Sequence, residues 1–302
     1  MAENLRNLAK FFCHCEASAH TGCGNPYPSS LISFSGLSGL GSENKHWKKE
    51  TRQEKDMKYY VTADIHGFFT QFHKALESAG YFSDPEPHRL IILGDLLDRG
   101  MESLEIQDYV LKHRDELILI RGNHEDLFGE MVTIDEGLPY SHHVNNGTYM
   151  SALQLTEYDP VMARIRNYDF AEAARATPFY SEIMPSMLDF FETEHYVFVH
   201  GWIPCIHSRS GYSYYSEWRE ASKGEWNSAR WYNGMDAVRT CMEEKTIVCG
   251  HWHTSYGHSK YEGKGSEFGE DADFSPYYAT GIVALDACTG FSGRVNVITI
   301  ED

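Results

Sequence analysis

The sequence predicts an α/β fold, and three observations carry that reading. Short continuous apolar runs recur at 58–63, 89–93, 117–120, 196–199, 246–249, 282–285 and 295–300, each with the length of a buried strand. The stretches between the first of them place apolar residues at helical spacing. Strand, helix and strand together close in units of roughly 30 residues, as a parallel crossover requires. The composition agrees: 302 residues, 42% hydrophobic and 23% charged, suffice for one large core or two modest ones.

Along the chain, residues 24–45 are rich in Gly, Ser, Pro and Asn, and 45–58 are charged with almost no apolar residue. Residues 1–56 are therefore expected to form a weakly ordered N-terminal extension, with the folded domain spanning 57–302. Phe69, Phe72, Leu76 and Ala79 lie at helical spacing, and Gly80 is a natural stop. Arg89-Leu90-Ile91-Ile92-Leu93 reads as a buried strand, 102–114 as a helix, and Leu117-Ile118-Leu119-Ile120 as a further strand. Residues 126–194 hold no clear strand but three helical stretches (150–158, 168–176 and 185–192), which predicts a helical insertion. The later apolar runs supply the remaining strands.

Charge and cysteine usage exclude several classes. There are 26 basic and 44 acidic residues, a net charge of −18, which argues against nucleic-acid partners. No apolar run approaches the roughly 18 residues that a membrane span needs. Seven cysteines without framework spacing point to a reduced, cytoplasmic protein. Cys13-His14-Cys15, with His20 and Cys23 nearby, offers soft-metal donors, but its irregular spacing reads as incidental thiols.

The residues just past each apolar run matter more than the run. Residues 61–63 lead into Asp64-Ile65-His66-Gly67, 89–93 into Gly94-Asp95-Leu96-Leu97-Asp98-Arg99-Gly100, and 117–120 into Arg121-Gly122-Asn123-His124-Glu125. The run 196–199 leads into His200-Gly201, and 246–249 into Gly250-His251-Trp252-His253. Ligands of open α/β sheets bind beyond the carboxyl ends of the strands. Residues i and i+2 of an extended chain point the same way, so Asp64 is expected to converge with His66, and His251 with His253. Oxygen and imidazole donors without thiolate suit Mn, Fe or Zn. Taken singly, a strand-end His or an Asp before Gly is an ordinary turn residue; the ordered set carries the inference.

Residues 57–302 resemble the calcineurin-like metallophosphoesterases, in particular the phosphoprotein phosphatase branch in its compact bacterial and phage form. The matching pieces are Asp64-x-His66-Gly67, Gly94-Asp95-x-x-Asp98-Arg99-Gly100, Gly122-Asn123-His124-Glu125, His200-Gly201 and Gly250-His251, in that order. The resemblance implies two facing mixed β-sheets with helices on both outer faces. It implies two divalent metal ions, Mn foremost, with Fe, Zn or Ni as alternatives. Asp64 and His66 would hold the first ion and Asn123, His200 and His251 the second, with Asp95 bridging. The Gly-His-x-His form occurs in the wider family with its second His on the first metal, which gives His253 the same expected role.

The implied reaction is hydrolysis of a phosphate monoester by a metal-bridging hydroxide, with His124 as general acid and Asp98 orienting it. Arg99 and Asn123 are expected at the phosphate. Arg230, in Trp226-Asn227-Ser228-Ala229-Arg230-Trp231, resembles the second phosphate arginine of the bacterial enzymes, with Arg209 and Arg219 as competitors. The implied substrate is phosphorylated (a phosphoprotein, a small phosphoester or a nucleotide), and the activity serine/threonine phosphatase-like. The alternative on the same core is a hydrolase of dinucleoside polyphosphates, of the diadenosine tetraphosphate type, or of nucleotides. Gly201-Trp202-Ile203-Pro204 departs from the Gly-Gly-Leu-Ser of eukaryotic phosphatases, which weakens the phosphoprotein expectation. A catalytically silent scaffold would lack a ligand or His124, and the sequence retains them all.

Overall fold

The computed structural model describes residues 57–133, 139–208 and 211–302. The expectations for residues 1–56, with their Cys/His cluster, and for Arg209 lie outside the described residues. In chain order the strands are β1 (Lys58–Thr62), β2 (His88–Ile92), β3 (Leu117–Leu119), β4 (Phe191–Glu192), β5 (Tyr196–Phe198), β6 (Ile206–Ser208), β7 (Gly211–Ser213), β8 (Thr246–Cys249), β9 (Tyr277–Ala279), β10 (Ile282–Ala284) and β11 (Val297–Glu301). They make a four-stranded sheet of order β11-β1-β2-β3, a five-stranded sheet of order β4-β5-β8-β10-β9, and the small β6-β7 hairpin. Both larger sheets are mixed. In the first, β1, β2 and β3 are parallel and β11 antiparallel. In the second, β5, β8 and β10 are parallel between antiparallel β4 and β9.

The two-residue period of a strand sorts its side chains into separate cores. Tyr59, Val61, Ile91 and Ile118 of the first sheet meet Phe198, Val248, Val283 and Leu285 in one buried layer between the sheets. The alternate residues, Tyr60, Leu90, Ile92, Leu117 and Leu119, face helices on the outer side, against Phe72, Leu76, Ile106 and Phe128. Val197, Ile247, Cys249 and Ile282 do the same on the second sheet, against Trp202, Trp218 and Trp226. The strands read as continuous apolar runs because both of their faces are covered. The fold is the expected pair of facing mixed sheets flanked by helices.

The helices are α1 (Phe69–Ser78), α2 (Ser103–His113), α3 (Asn123–Thr133), α4 (Ser141–Asn145), α5 (Thr148–Thr156), α6 (Pro160–Ile165), α7 (Asn167–Ala176), α8 (Met184–Ser186), α9 (Lys223–Ala229), α10 (Gly234–Ala237), α11 (Thr254–Glu262) and α12 (Thr289–Ser292). None of the described helices is long and apolar enough to cross a membrane. One expectation is corrected. The stretch 185–192 is not a helix: α8 ends at Ser186, Leu188 bridges to Ile120, and β4 pairs with β5. Its apolar residues, which mimic helical spacing, serve two cores instead. Leu188 and Phe191 pack between the sheets, and Phe190 stacks on Trp226 at 5.4 Å. The end of the 126–194 segment therefore belongs to the second sheet. The β6-β7 hairpin and β9 have no counterpart among the sequence expectations.

Candidate metal-binding site

The carboxyl ends of β1, β2, β3, β5 and β8 each deliver a motif, and after β1, β2 and β8 the backbone is strained. Asp64 (φ 52°), His66 (51°), Asp95 (52°), Asp98 (76°), Arg99 (66°) and His251 (65°) all stand in the left-handed region. Such a conformation costs a non-glycine residue about 1–3 kcal/mol and persists only where its surroundings fix it. Elsewhere among the described non-glycine residues only Glu157 and Cys288 share it. The strain is thus concentrated in the motifs. The extended-chain expectation is corrected as well: Asp64 and His66 meet through a turn, and His251 turns the chain before His253.

Glu125 supplies part of the fixing. Its Oε2 accepts the N–H groups of Asp95 (3.0 Å) and Gly122 (2.7 Å), and its Oε1 that of Leu96 (2.9 Å). One buried carboxylate thereby ties the end of β2 to the end of β3. Burial pushes its pKa up while the three N–H donors pull it down, and burial dominates. No role for Glu125 is legible in its motif, because two of its three partners lie about 30 residues back along the chain. Gly122 is part of the same junction. A Cβ there would run into Asp95 Oδ1 and lie 2.5 Å from Asp95 N and 2.7 Å from Glu125 Oε2. Gly122→Ala is therefore expected to destabilise the protein by about 1–3 kcal/mol, the usual range for overpacking. Chemical denaturation checks this, and parental stability would contradict the packing described.

Two triads of ligand atoms share one residue. His66, Asp95 and His124 bring ligand atoms within 4.8 Å of one another, and so do Asp95, His200 and His251. Asp95 Oδ2 lies 3.6 Å from His66 Nε2 and 3.8 Å from His124 Nε2, and Oδ1 lies 3.4 Å from His200 Nε2. Asp64 Oδ1 is 4.0 Å from His66 Nε2. The Asp64 carboxylate also accepts the His251 N–H at 3.1 and 3.0 Å, joining the two sheets at the site.

Hydrogen bonds at the far side of each ring set the tautomers. His66 Nδ1 donates to the Leu97 carbonyl (3.1 Å) and His200 Nδ1 to that of Leu93 (2.6 Å), so each neutral ring keeps a lone pair on Nε2. Burial first, then the neighbouring His251, holds the His200 pKa well below the ordinary imidazole value. Neutral His200 Nε2 faces Asn123 Oδ1 at 2.7 Å, while the buried Asn123 Nδ2 has no hydrogen-bond partner. Two acceptors at that separation are accommodated by a shared cation, or by turning the amide. On the other side positive charge is already in place: Arg99 Nη1 lies 2.8 Å from His66 Nε2, and Nη2 lies 3.1 Å from His124 Nε2. The donor set fits divalent cations.

His124 Nδ1 donates to Asp98 Oδ2 at 2.6 Å, the pairing expected of an oriented imidazole. Asp98 also takes hydrogen bonds from Thr148 and Ser151, two residues that no motif or spacing singles out. Arg230 is buried close enough for its charge to lower the His200 pKa. Its guanidinium is engaged by Asp126 Oδ2 (2.6 Å), Asn227 Oδ1 (2.7 Å), the Arg121 carbonyl (3.2 Å) and Asp189. Arg219, its competitor, pairs instead with Glu192 and lies over Trp218. His253 directs Nε2 to Glu267 Oε1 at 2.7 Å, outside both triads. A third triad, Glu130, His142 and His143, lies on α3 and α4. There the Tyr140 N–H donates to His143 Nδ1 (3.0 Å), so the neutral ring carries its proton on Nε2, the atom an ion would need. That triad reads as two imidazoles beside one carboxylate, with His142 Nε2 and His143 Nε2 lying 3.5 and 3.6 Å from Glu130 Oε2.

The chain belongs to the calcineurin-like phosphoesterase family, which matches residues 57–255. A symmetrical bis(5'-nucleosyl)-tetraphosphatase of Chromobacterium violaceum is 34% identical over 86 residues, 28% of this chain and 29% of that protein. The serine/threonine-protein phosphatase 4 catalytic subunit of Kluyveromyces lactis is 42% identical over 69 residues, 22% of this chain and 21% of that protein. An asymmetrical bis(5'-nucleosyl)-tetraphosphatase of Bacillus cereus is 34% identical over 96 residues, 27% of this chain and 39% of that protein. The matched stretches span between a fifth and two fifths of these relatives.

Proposed function

We propose that the chain is a dinuclear-metal-dependent phosphoesterase that hydrolyses phosphate monoesters in the manner of a protein serine/threonine phosphatase. The observation that carries this reading is that buried Asp95 faces His66 with one carboxylate oxygen, at 3.6 Å, and His200 with the other, at 3.4 Å. Asp64, His66 and Asp95 would hold one ion, and Asp95, Asn123, His200 and His251 the other. When bound, the two cations activate a water near neutral pH and neutralise charge on the phosphoryl oxygens. Mn is the proposed metal, one of those that oxygen and imidazole donors without thiolate suit.

The chain's own groups complete the chemistry. Arg99, turned from the two imidazoles, offers forked donors to phosphate oxygens, and Arg230 adds fixed positive charge beside His200. His124, held through Nδ1 by Asp98, presents Nε2 to the leaving oxygen and gives it a proton. His253, engaged by Glu267, is proposed to support the turn at His251 rather than to hold metal. The buried thiols Cys205, Cys241 and Cys249 suit a reducing, cytoplasmic setting.

A dinucleoside polyphosphate hydrolase is the second reading. It is favoured by the tetraphosphatase relatives and by Trp231, whose ring stands edge-on to His251 (5.8 Å, 82°) and offers a base an aromatic surface beside the site. Initial rates on p-nitrophenyl phosphate, a phosphoserine peptide and diadenosine tetraphosphate, with Mn and after chelation, separate the two. The expected result is chelator-sensitive hydrolysis of the two monoesters above that of the dinucleotide. A strong preference for the dinucleotide would replace the substrate assignment.

A further inference from the structure

We propose that α5 is part of the catalytic apparatus: its Thr148, Ser151 and Gln154 form a polar stripe that positions Asp98 and, through it, His124. This rests on the reading of His124 as the general acid. Thr148 Oγ1 donates to Asp98 Oδ2 at 2.6 Å. Ser151 Oγ donates to Asp98 Oδ1 at 2.8 Å and accepts the Asp98 N–H at 2.9 Å. Gln154 continues the stripe, its Oε1 accepting the Ser103 N–H at 3.0 Å and its Nε2 donating to the Gly100 carbonyl at 3.2 Å. Positions three apart share one helix face, so a single short helix grips the whole turn from Asp98 to Ser103.

The grip has a physical purpose. Asp98 and Arg99 are consecutive residues at positive φ, a strain that needs outside support. Gly147, at φ 94°, lets the start of α5 come close enough to give it; a Cβ there would run into Arg99 N. The Asp98 carboxylate must also hold one orientation for its Oδ2 to keep the His124 Nδ1–H. Thr148 and Ser151, both fully buried, bond one carboxylate oxygen each and fix that plane. Removing either hydroxyl leaves a buried acceptor short of a partner and frees the carboxylate to turn away.

A general acid matters most where the leaving alcohol is poor, so the ratio of kcat on p-nitrophenyl phosphate to kcat on phenyl phosphate reports its integrity. The ratio is to be measured with Mn for the parent, Thr148→Val, Ser151→Ala, Thr148→Ser and His124→Asn. It is expected to rise about tenfold in Thr148→Val and Ser151→Ala, part of the usual range for proton transfer. Thr148→Ser restores it, and His124→Asn raises it most. Ser151→Ala adds no bulk and carries the test alone if valine at 148 prevents folding. A raised ratio in His124→Asn beside parental ratios in the hydroxyl-less variants would overturn the proposal, however slow or unstable those variants are. A parental ratio in His124→Asn would instead remove the general-acid reading, and this proposal with it.

Discussion

Asp95→Asn protein is expected to lose bound metal and nearly all phosphoesterase activity while retaining its fold. Asp95 is the residue common to both triads, and each of its carboxylate oxygens faces imidazole nitrogens within 4 Å. Asparagine keeps an oxygen for the His124 N–H, which Asp95 Oδ1 accepts at 3.0 Å, so local structure is preserved. It removes the negative charge that offsets two cations. The loss should exceed the roughly 10–100-fold drop seen on removal of an outer-shell partner, because a bridging ligand serves both ions. Metal content by elemental analysis, beside activity, checks this. A variant that keeps parental metal content and rate would show that Asp95 does not bridge.

His124→Asn should behave differently. Turnover is expected to fall by about 10²–10⁴-fold, the usual contribution of a positioned proton donor, while metal content stays close to the parent's. The imidazole reaches into the site with Nε2 while Asp98 holds Nδ1 at 2.6 Å, and asparagine has no proton to give at that reach. Steady-state kinetics paired with elemental analysis separates this outcome from that of Asp95→Asn. Metal loss equal to the loss of rate would make His124 a ligand rather than an acid.

The parts legible in the sequence share one property: they are written in short, contiguous stretches. The apolar runs mark seven strands, because burial on both faces leaves an unbroken apolar signature. The motifs offer Asp64, His66, Asp95, Asn123, His124, His200 and His251 as candidates, and the fold gathers them at neighbouring strand ends. Contacts between distant segments carry no such signature. Glu125 joins β2 to β3, and Thr148 and Ser151 reach back 50 and 53 residues to Asp98. A hydroxyl in a helix reads locally as an unremarkable residue. Residues 185–192 mislead for the converse reason: their helical spacing is satisfied by two different cores on either side of a sheet edge. His253 carries a partner of the same hidden kind, Glu267, whose Oε1 lies 2.7 Å from its Nε2 and 14 residues further on.

Crystals of the full chain grown with Mn, measured at the Mn absorption edge, test the central claim most directly. Two anomalous peaks about 3.5–4 Å apart are expected, with Asp95 between them, Asp64 and His66 on one side and Asn123, His200 and His251 on the other. A single peak, or peaks lodged elsewhere such as at Glu130, His142 and His143, would contradict it.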